Sequence, residues 1–439
     1  MKTLHTQTTA FAKRLFKLER CGKYEEALAE LTEIWEDTTT FPNVEEFESR
    51  SAAEIILRCG SLIGFLGHSK QIPNAQEKSK NLLTEARHRF LDIYDIEKIA
   101  ECENYLALAY WRTGELTEAE TWIEESFSHT LPLSNQTRLY STIVKCLVHI
   151  SAKKYEEIIS ILRKLENEFL SFGDNCLVGD FYNNYAIALK NLGETSDALN
   201  KLELARYYHQ KSRHLIYLGT VENNLAQLYK AERKFIKAHE ASDNAAKIFK
   251  QIKDRTREGF SLDTKAQIYF AEGKYAEALK TIETAVKILS RGENAAYLTE
   301  TYLTKAKTLI FLDDFSAATF SLFDGVQIAK TQISEEAAKK LVEEFEKTLQ
   351  EKNSPRPAET ITDFETISEN LELVIPPTIA HYNEFQAIWI KNTHLESLGL
   401  KKGSLAIIAK EKVRRGDLAA IVEIETEGVS CGFYDADFG

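Results

Sequence analysis

Residues 265–280 read KAQIYFAEGKYAEALK, and this stretch carries the pattern that decides the fold. A small residue, Ala266, is followed by Tyr269, then by Gly273, and then by a second small residue, Ala278. Apolar and small residues three or four positions apart indicate a helix on each side of the glycine. Glycine supplies the left-handed backbone conformation that ends many helices. The stretch therefore predicts two helices joined by a tight turn.

The same pattern recurs every forty residues along much of the chain. Three series of positions repeat in phase: a small residue in the first helix, an aromatic-rich position after the turn, and a small or apolar residue in the second helix. They are Cys146, Ala186, Ala226, Ala266 and Ala306; Tyr155, Thr195, Phe235, Tyr275 and Phe315; and Ile158, Ala198, Ala238, Ala278 and Ala318. Because one helix pair cannot bury both of its faces, neighbouring pairs must stack. We predict about eight helix pairs over residues 8–330, with two irregular pairs at the start, and a polar capping helix over residues 334–351.

This order of small residue, tyrosine, glycine, aromatic residue and alanine resembles the tetratricopeptide repeat. The forty-residue period is longer than the common repeat of about 34 residues. It is similar to the long-repeat type of kinesin light chains and of bacterial peptide-sensing regulators, and residues 222–229, ENNLAQLY, are close to the signature of that type. The resemblance implies a mainly α fold, a right-handed superhelix, and a concave groove that binds proteins or peptides.

The resemblance also implies a set of groove residues. In the resembled family, an asparagine two positions before the small residue bonds the backbone of a bound peptide, and an amide suits that task because it both donates and accepts. That role carries over to Asn184 and Asn224, which the asparagines Asn183 and Asn223 directly precede. Further predicted peptide-binding residues, one position after the small residue, are Gln227, Gln267 and Lys307. The alternative interpretation is that these side chains are solvated polar residues of amphipathic helices.

Composition argues against several other classes of protein. A formal charge of −12, with both signs interspersed, disfavours a nucleic-acid-binding surface. Six scattered cysteines without a Cys-x-x-Cys pair predict reduced thiols rather than disulfides or a zinc site. Neither a signal peptide nor a membrane-spanning apolar run is evident. We therefore expect a cytoplasmic protein without metal or cofactor, while the oligomeric state stays open.

The chain changes character after residue 350. Prolines are sparse before that point and then cluster, so residues 1–349 are predicted to form the superhelix and residues 350–365 a linker. Residues 366–439 carry short runs rich in β-branched residues, separated by glycine-bearing turns, and they predict a small β-rich domain.

This C-terminal segment resembles the LexA and phage-repressor type of self-cleaving peptidase domain. That family cleaves with a serine activated by a neutral lysine, and both groups are required. Alignment on Gly403 puts Leu395 at the serine position, Ser397 lies two residues away, and no lysine lies near Cys431. We therefore expect that the fold is retained without the chemistry.

Together these patterns predict a non-catalytic bacterial adaptor or regulatory protein that holds protein or peptide segments in its groove. One alternative is a stress- or defence-linked proteolytic sensor that uses the C-terminal domain. A second alternative is that a separate protease cleaves this chain in its proline-rich linker.

Overall fold

A computed structural model describes residues 2–352, apart from residues 39, 71, 130–132 and 293, together with the strand segments 385–389, 404–409, 419–425 and 428–434. The chain forms two compact units, Met1–Thr304 and Lys305–Gly439. Seventeen α-helices occupy the described part of residues 2–352. The mainly helical architecture predicted from the sequence is confirmed.

The helices alternate as first and second members of antiparallel pairs. They are α1 (Lys2–Arg20), α2 (Tyr24–Glu30), α3 (Ser49–Lys70), α4 (Ala75–Asp92), α5 (Ile96–Thr113), α6 (Leu116–Ser128), α7 (Asn135–Ser151), α8 (Tyr155–Phe172), α9 (Asn175–Asn191), α10 (Thr195–Ser212), α11 (Leu215–Ala231), α12 (Phe235–Gln251), α13 (Arg255–Ala271), α14 (Tyr275–Leu289), α15 (Ala295–Phe311), α16 (Phe315–Gln332) and α17 (Glu335–Glu351). Helices α1 to α16 make eight pairs, the number expected from the sequence, and α17 follows them.

The forty-residue period is reproduced by the helix boundaries. The first helices α7, α9, α11, α13 and α15 begin at residues 135, 175, 215, 255 and 295. The small residues of the period lie where the two helices of a pair touch, and Ala226, Ala238, Ala266 and Ala278 have no exposed surface. A larger side chain at these positions would push the helices apart, so the period in sequence is a period in packing.

The turns inside the pairs use a left-handed residue whether or not a glycine is present. Gly193 and Gly273 have φ angles of +84° and +79°. At the equivalent positions of other pairs, Lys153, Arg233 and Asp313 adopt φ angles of +58°, +57° and +64°. Glycine accommodates this conformation best, but the stacked helices impose it on ordinary residues as well.

The first two pairs depart from the regular repeat, as predicted. Helix α2 has only seven residues, and a long connection over residues 31–48 follows it before α3 begins. Gly60 lies inside α3 and not at a turn. A Cβ at this position would come within 2.9 Å of Leu83 on α4. The close approach of α3 and α4 therefore explains this glycine.

Four strands lie in the second unit: β1 (Phe385–Trp389), β2 (Ser404–Ala409), β3 (Ala419–Glu425) and β4 (Gly428–Tyr434). They form an antiparallel sheet in the order β1-β2-β3-β4, with Phe385 opposite Ala409 and Ala419 opposite Tyr434. β1, β2 and β3 fall on runs from which strands were predicted, while the β-rich domain as a whole stays a prediction. Residues 353–365 of the expected linker, Leu395 and Ser397 lie outside the described residues, so the domain boundaries and the likeness to LexA stay predictions.

The packing role of the small residues is testable with two neighbouring alanines of α14. Ala278 is fully buried against its partner helix, whereas Ala276 is exposed. We expect Ala278→Leu to lower the free energy of unfolding by about 1–3 kcal/mol, because an overpacked contact forces the helices apart. Ala276→Leu should change it by less than about 0.5 kcal/mol. Urea denaturation followed by circular dichroism measures both, and equal effects would contradict the assignment.

Candidate binding site

In the first unit, the first helices of successive pairs follow a curved path, so that α13 contacts α3. At this closure the Thr256 hydroxyl donates to the His68 carbonyl at 2.7 Å, although the two residues are 188 positions apart. The His68 ring also meets the Tyr297 ring edge-on, with 6.5 Å between their centres. Helices α3, α5, α7, α9, α11 and α13 therefore surround a space that we call the ring interior.

The N-terminal hairpin, made of α1 and α2, reaches into the ring interior and is fixed there by a buried charge. The Glu19 carboxylate accepts a hydrogen bond from Arg58 Nη1 at 2.8 Å. It also accepts from the hydroxyls of Ser61 on α3 and Tyr105 on α5. The Arg58 side chain has no exposed surface, and its guanidinium meets Glu101 as well. Removing one member of such a buried network leaves an uncompensated charge, which is strongly destabilising.

The end of the hairpin's first helix touches three further first helices. Arg20 Nη2 lies 2.7 Å from Asp174 Oδ2, at the start of α9. Its guanidinium also lies over the Tyr140 ring of α7, with 5.7 Å to the ring centre. Gly22 has a φ of +70°, and a Cβ there would lie 2.8 Å from the His214 ring at the start of α11. This turn therefore requires glycine both for its conformation and for the close approach of the histidine.

Half-buried polar side chains form a ladder across the later first helices. Asn224 donates to Asn183 Oδ1 at 2.8 Å, which joins α11 to α9. Lys190 donates to Gln227 Oε1 at 2.7 Å in the same way. Lys230 donates to Gln267 Oε1 at 2.5 Å, which joins α11 to α13. The ladder places several amide and ammonium groups in one row on adjoining helices.

The structure separates the predicted groove residues into two groups. Asn183, Asn224, Gln227 and Gln267 belong to the half-buried ladder. Asn184 is buried and donates to the Ile143 carbonyl of α7 at 3.3 Å, so it joins neighbouring helices.

The remaining two predicted residues also lie away from the ladder. Asn223 is buried, and its Oδ1 has no hydrogen-bond partner in the described part of the chain. Lys307, in the second unit, donates to Glu344 at 2.8 Å. A ligand contact at any of the seven residues stays a prediction.

Several polar residues of the interior were not predicted from the sequence. Lys190 and Lys230 are forty residues apart, so the period itself was a signal that could have found them. Asp263, which accepts from Gln267 Nε2 at 2.8 Å, is fully buried. Burial raises the pKa of Asp263 to about 6, and the hydrogen bonds from Thr304 and Gln267 oppose that rise.

A second cluster of buried titratable groups lies beneath the end of the N-terminal hairpin. Burial raises the pKa of Asp180 to about 8, and the nearby charge of Arg20 opposes the rise. Burial lowers the pKa values of His209 and His214 to about 3. His209 Nε2 lies 3.5 Å from Asp180 Oδ1. At neutral pH this cluster therefore carries little charge.

Metal-binding and membrane-spanning features are absent from the described residues. Those residues contain no group of three or more histidine, cysteine or acidic side chains placed to hold a metal ion. None of the helices there is both long and apolar enough to cross a membrane.

Comparison with solved structures identifies the architecture. A Rap protein complexed with Competence and Sporulation Factor is 13% identical, and the match covers 79% of this chain and 98% of that one with a TM-score of 0.54. A signal transduction ATPase with a tetratricopeptide repeat sensor, from Pyrococcus horikoshii, is 14% identical, with coverages of 71% and 52% and a TM-score of 0.50. Aspartyl phosphate phosphatase F from Bacillus subtilis is 13% identical, with coverages of 75% and 95% and a TM-score of 0.50.

At these identities the likeness shows the fold alone. The helical part of the chain is a tetratricopeptide-type solenoid. No protein-family model and no curated protein sequence matches the chain.

The seating of the N-terminal hairpin is testable through Cys176, which is 7% exposed and lies near Arg20 and Cys21. We expect Arg20→Gln to destabilise the seated position of the hairpin by about 1.4 kcal/mol. The alkylation rate of Cys176 should then rise roughly tenfold, because the hairpin leaves its seat more often. Mass spectrometry after iodoacetamide treatment measures this rate. Cys146 on α7 is fully buried and should stay protected in both proteins. An unchanged rate at Cys176 would show that Arg20 does not hold the hairpin in place.

The raised pKa of Asp180 predicts a specific pH dependence. The folded state keeps this proton up to about pH 8, whereas an unfolded aspartate loses it near pH 4. Stability contributed by the protonated group is therefore lost as pH rises from about 4 to 8. Asp180→Asn should gain stability relative to the natural protein between pH 5 and pH 8 by more than about 1 kcal/mol.

Urea titrations of both proteins at pH 5 and pH 8 measure this difference. The titrations of His209 and His214 run in the opposite direction, but they occur in both proteins and cancel in the comparison. A difference in unfolding free energy that does not change with pH would show that Asp180 is ionised in the folded protein.

Proposed function

We propose that this chain is a non-catalytic, cytoplasmic regulatory adaptor of bacterial type that captures a protein or peptide segment in the ring interior. The observation that carries the proposal is the half-buried polar ladder of α9, α11 and α13. It lies on rigid helices that surround a common space, as a binding surface for an extended segment requires.

The chemistry of the ladder suits a polypeptide backbone. The amide oxygen of Gln227 accepts a hydrogen bond from Lys190, and in the described residues the amide nitrogen of Gln227 has no acceptor. Asn183 and Asn224 likewise bond each other through one side of each amide. Each amide therefore keeps a donor or an acceptor with which to bond a peptide group, irrespective of the side chains of the bound segment.

The N-terminal hairpin gives this capture a means of regulation. It already occupies part of the ring interior through Glu19, Arg20 and Tyr24, whose ring stacks on Phe65 with 4.7 Å between centres. A captured segment that needs the same space must displace the hairpin. Its apparent affinity is then reduced by the fraction of molecules in which the hairpin is seated.

Two features of the similar structures support the proposal. The Rap protein was solved with Competence and Sporulation Factor bound, and the repeats of the Pyrococcus horikoshii protein are named a sensor. The alternative of a proteolytic sensor receives no such support. Its only nearby serine, Ser397, and the linker prolines Pro355 and Pro357 lie outside the described residues.

Site-specific photo-crosslinking in the native host tests the proposal. A benzoylphenylalanine placed at Gln227 lies in the ladder, whereas the same group at Ile236, which is 88% exposed on the second helix α12, lies outside it. We expect discrete crosslinked partners from position 227 and none of them from position 236. Adding Arg20→Gln should increase the yield at position 227, because the hairpin then competes less well.

Two outcomes would contradict the proposal. The first is an identical set of crosslinked partners from positions 227 and 236, since capture would then not involve the ring interior. The second is the absence of any partner from position 227 in a protein whose circular dichroism spectrum is unchanged.

A further inference from the structure

Arg112 is an arginine of the ring interior that has no acidic partner among the described residues. It lies in the last turn of α5, and its guanidinium stacks over the Phe65 ring with 4.3 Å to the ring centre. Gly64 leaves room for it, since a Cβ there would come within 3.1 Å of Arg112 Nη1. In the described part of the chain no carboxylate lies within ion-pair distance of this guanidinium. A partly buried charge normally has such a partner.

A second positively charged side chain comes close to Arg112 from α13, on the other side of the ring closure. Arg257, near the start of α13, is close enough for its charge to act on Arg112, and it has one carboxylate partner, Asp254, at 2.6 Å. Burial, followed by the charge of Arg257, lowers the pKa of Arg112 to about 10. Burial and both arginines lower the pKa of His68 well below its ordinary value. Of these two guanidinium groups, only that of Arg257 has a carboxylate partner among the described residues.

Hydroxyl groups also lie close to the two arginines. Tyr24, Tyr140 and Tyr217 are near enough to Arg112 to interact with its charge, and Tyr297 is similarly near Arg257. Two carboxyl groups near these tyrosines do not supply the missing partner: Glu19 accepts from Arg58, and burial raises the pKa of Asp180 to about 8. Arg112, Arg257 and His68 each keep some exposed surface, so water reaches the region around them. We call it the basic chamber.

We infer that the basic chamber binds an oxyanion, the carboxylate or phosphate group of a ligand, between Arg112 and Arg257. A planar guanidinium offers paired donors that match such a group, and the tyrosine hydroxyls add further donors. The unpaired Arg112 is costly in the free protein, and a bound anion offsets that cost. The inference deepens the proposed function, on which it rests, because the chamber is part of the same ring interior.

Thermal unfolding of the full chain with small anions tests the chamber without any peptide. The probes are sodium phosphate, N-acetylphenylalanine, its neutral amide, and sodium chloride at matched ionic strength. We expect phosphate, N-acetylphenylalanine or both to raise the melting temperature in a saturable way, while the amide and chloride do not. Which of the two acts identifies a phosphate or a carboxylate as the recognised group. No saturable rise with either anion would overturn the inference.

Two matched arginine substitutions distinguish a role in anion binding from a role in stabilising the fold. Arg112→Met keeps the contact with Phe65 and should raise the melting temperature of the free protein while weakening anion binding by at least about tenfold. Arg87 also stacks on a ring, that of Trp122, but it is paired with Glu103 at 2.8 Å. Arg87→Met should lower the melting temperature and leave anion binding unchanged.

The contrary result is that Arg112→Met lowers the melting temperature and leaves the anion-dependent rise intact, which would make Arg112 a structural residue. The anion titration and the crosslinking experiment fail independently of each other. Anion binding without a crosslinked partner would contradict the proposed function alone, and a crosslinked partner without anion binding would contradict the chamber alone.

Discussion

The structure depends on a steric constraint, that two helices can approach closely only where their contact holds a small side chain. Ala226 and Ala238 satisfy it in one pair, and Ala266 and Ala278 satisfy it in the next. Because the same spacing recurs, each pair presents the same surface to its neighbour, and the small rotation between neighbours adds up along the array. That accumulated rotation brings α13 back to α3, where Thr256 bonds the His68 carbonyl. The enclosed interior is therefore a consequence of where the alanines lie.

Enclosure changes the electrostatics of the groups that face inward. Glu19 and Arg58 are held as a buried pair, whereas Arg112 is left with an aromatic ring and a second arginine as neighbours. Burial raises the pKa of Asp180 and lowers the pKa values of His209 and His214. A solenoid with an open groove would expose these groups to water and leave their pKa values near the ordinary range. In the described residues the interior thus combines neutralised titratable groups, a half-buried amide ladder and, around Arg112, a positive charge without an acidic partner.

The sequence predicted the repeat well because helices and turns depend on local spacing. Which asparagine belongs to the ladder was predicted less well, since neighbouring residues differ by about 100° around a helix and the period does not specify the rotation. Asn184 turned out to join α9 to α7, while Asn183 pairs with Asn224. The position of the N-terminal hairpin was beyond sequence reasoning, because Arg20 and Asp174 are 154 residues apart and meet only when the fifth pair has joined the stack. Arg112 and Arg257 converge for the same reason.

The closure of the ring is the central claim. The distance between two spin labels, measured by double electron–electron resonance, tests it most directly. Spin labels at positions 70 and 255, on α3 and α13, lie on the two helices that meet at the closure. The account predicts a narrow distribution at the short distance of neighbouring helices, whose axes are about 10 Å apart, extended only by the labels. A broad distribution, or a distance of several helix diameters, would show that α13 does not return to α3 and that no enclosed interior exists.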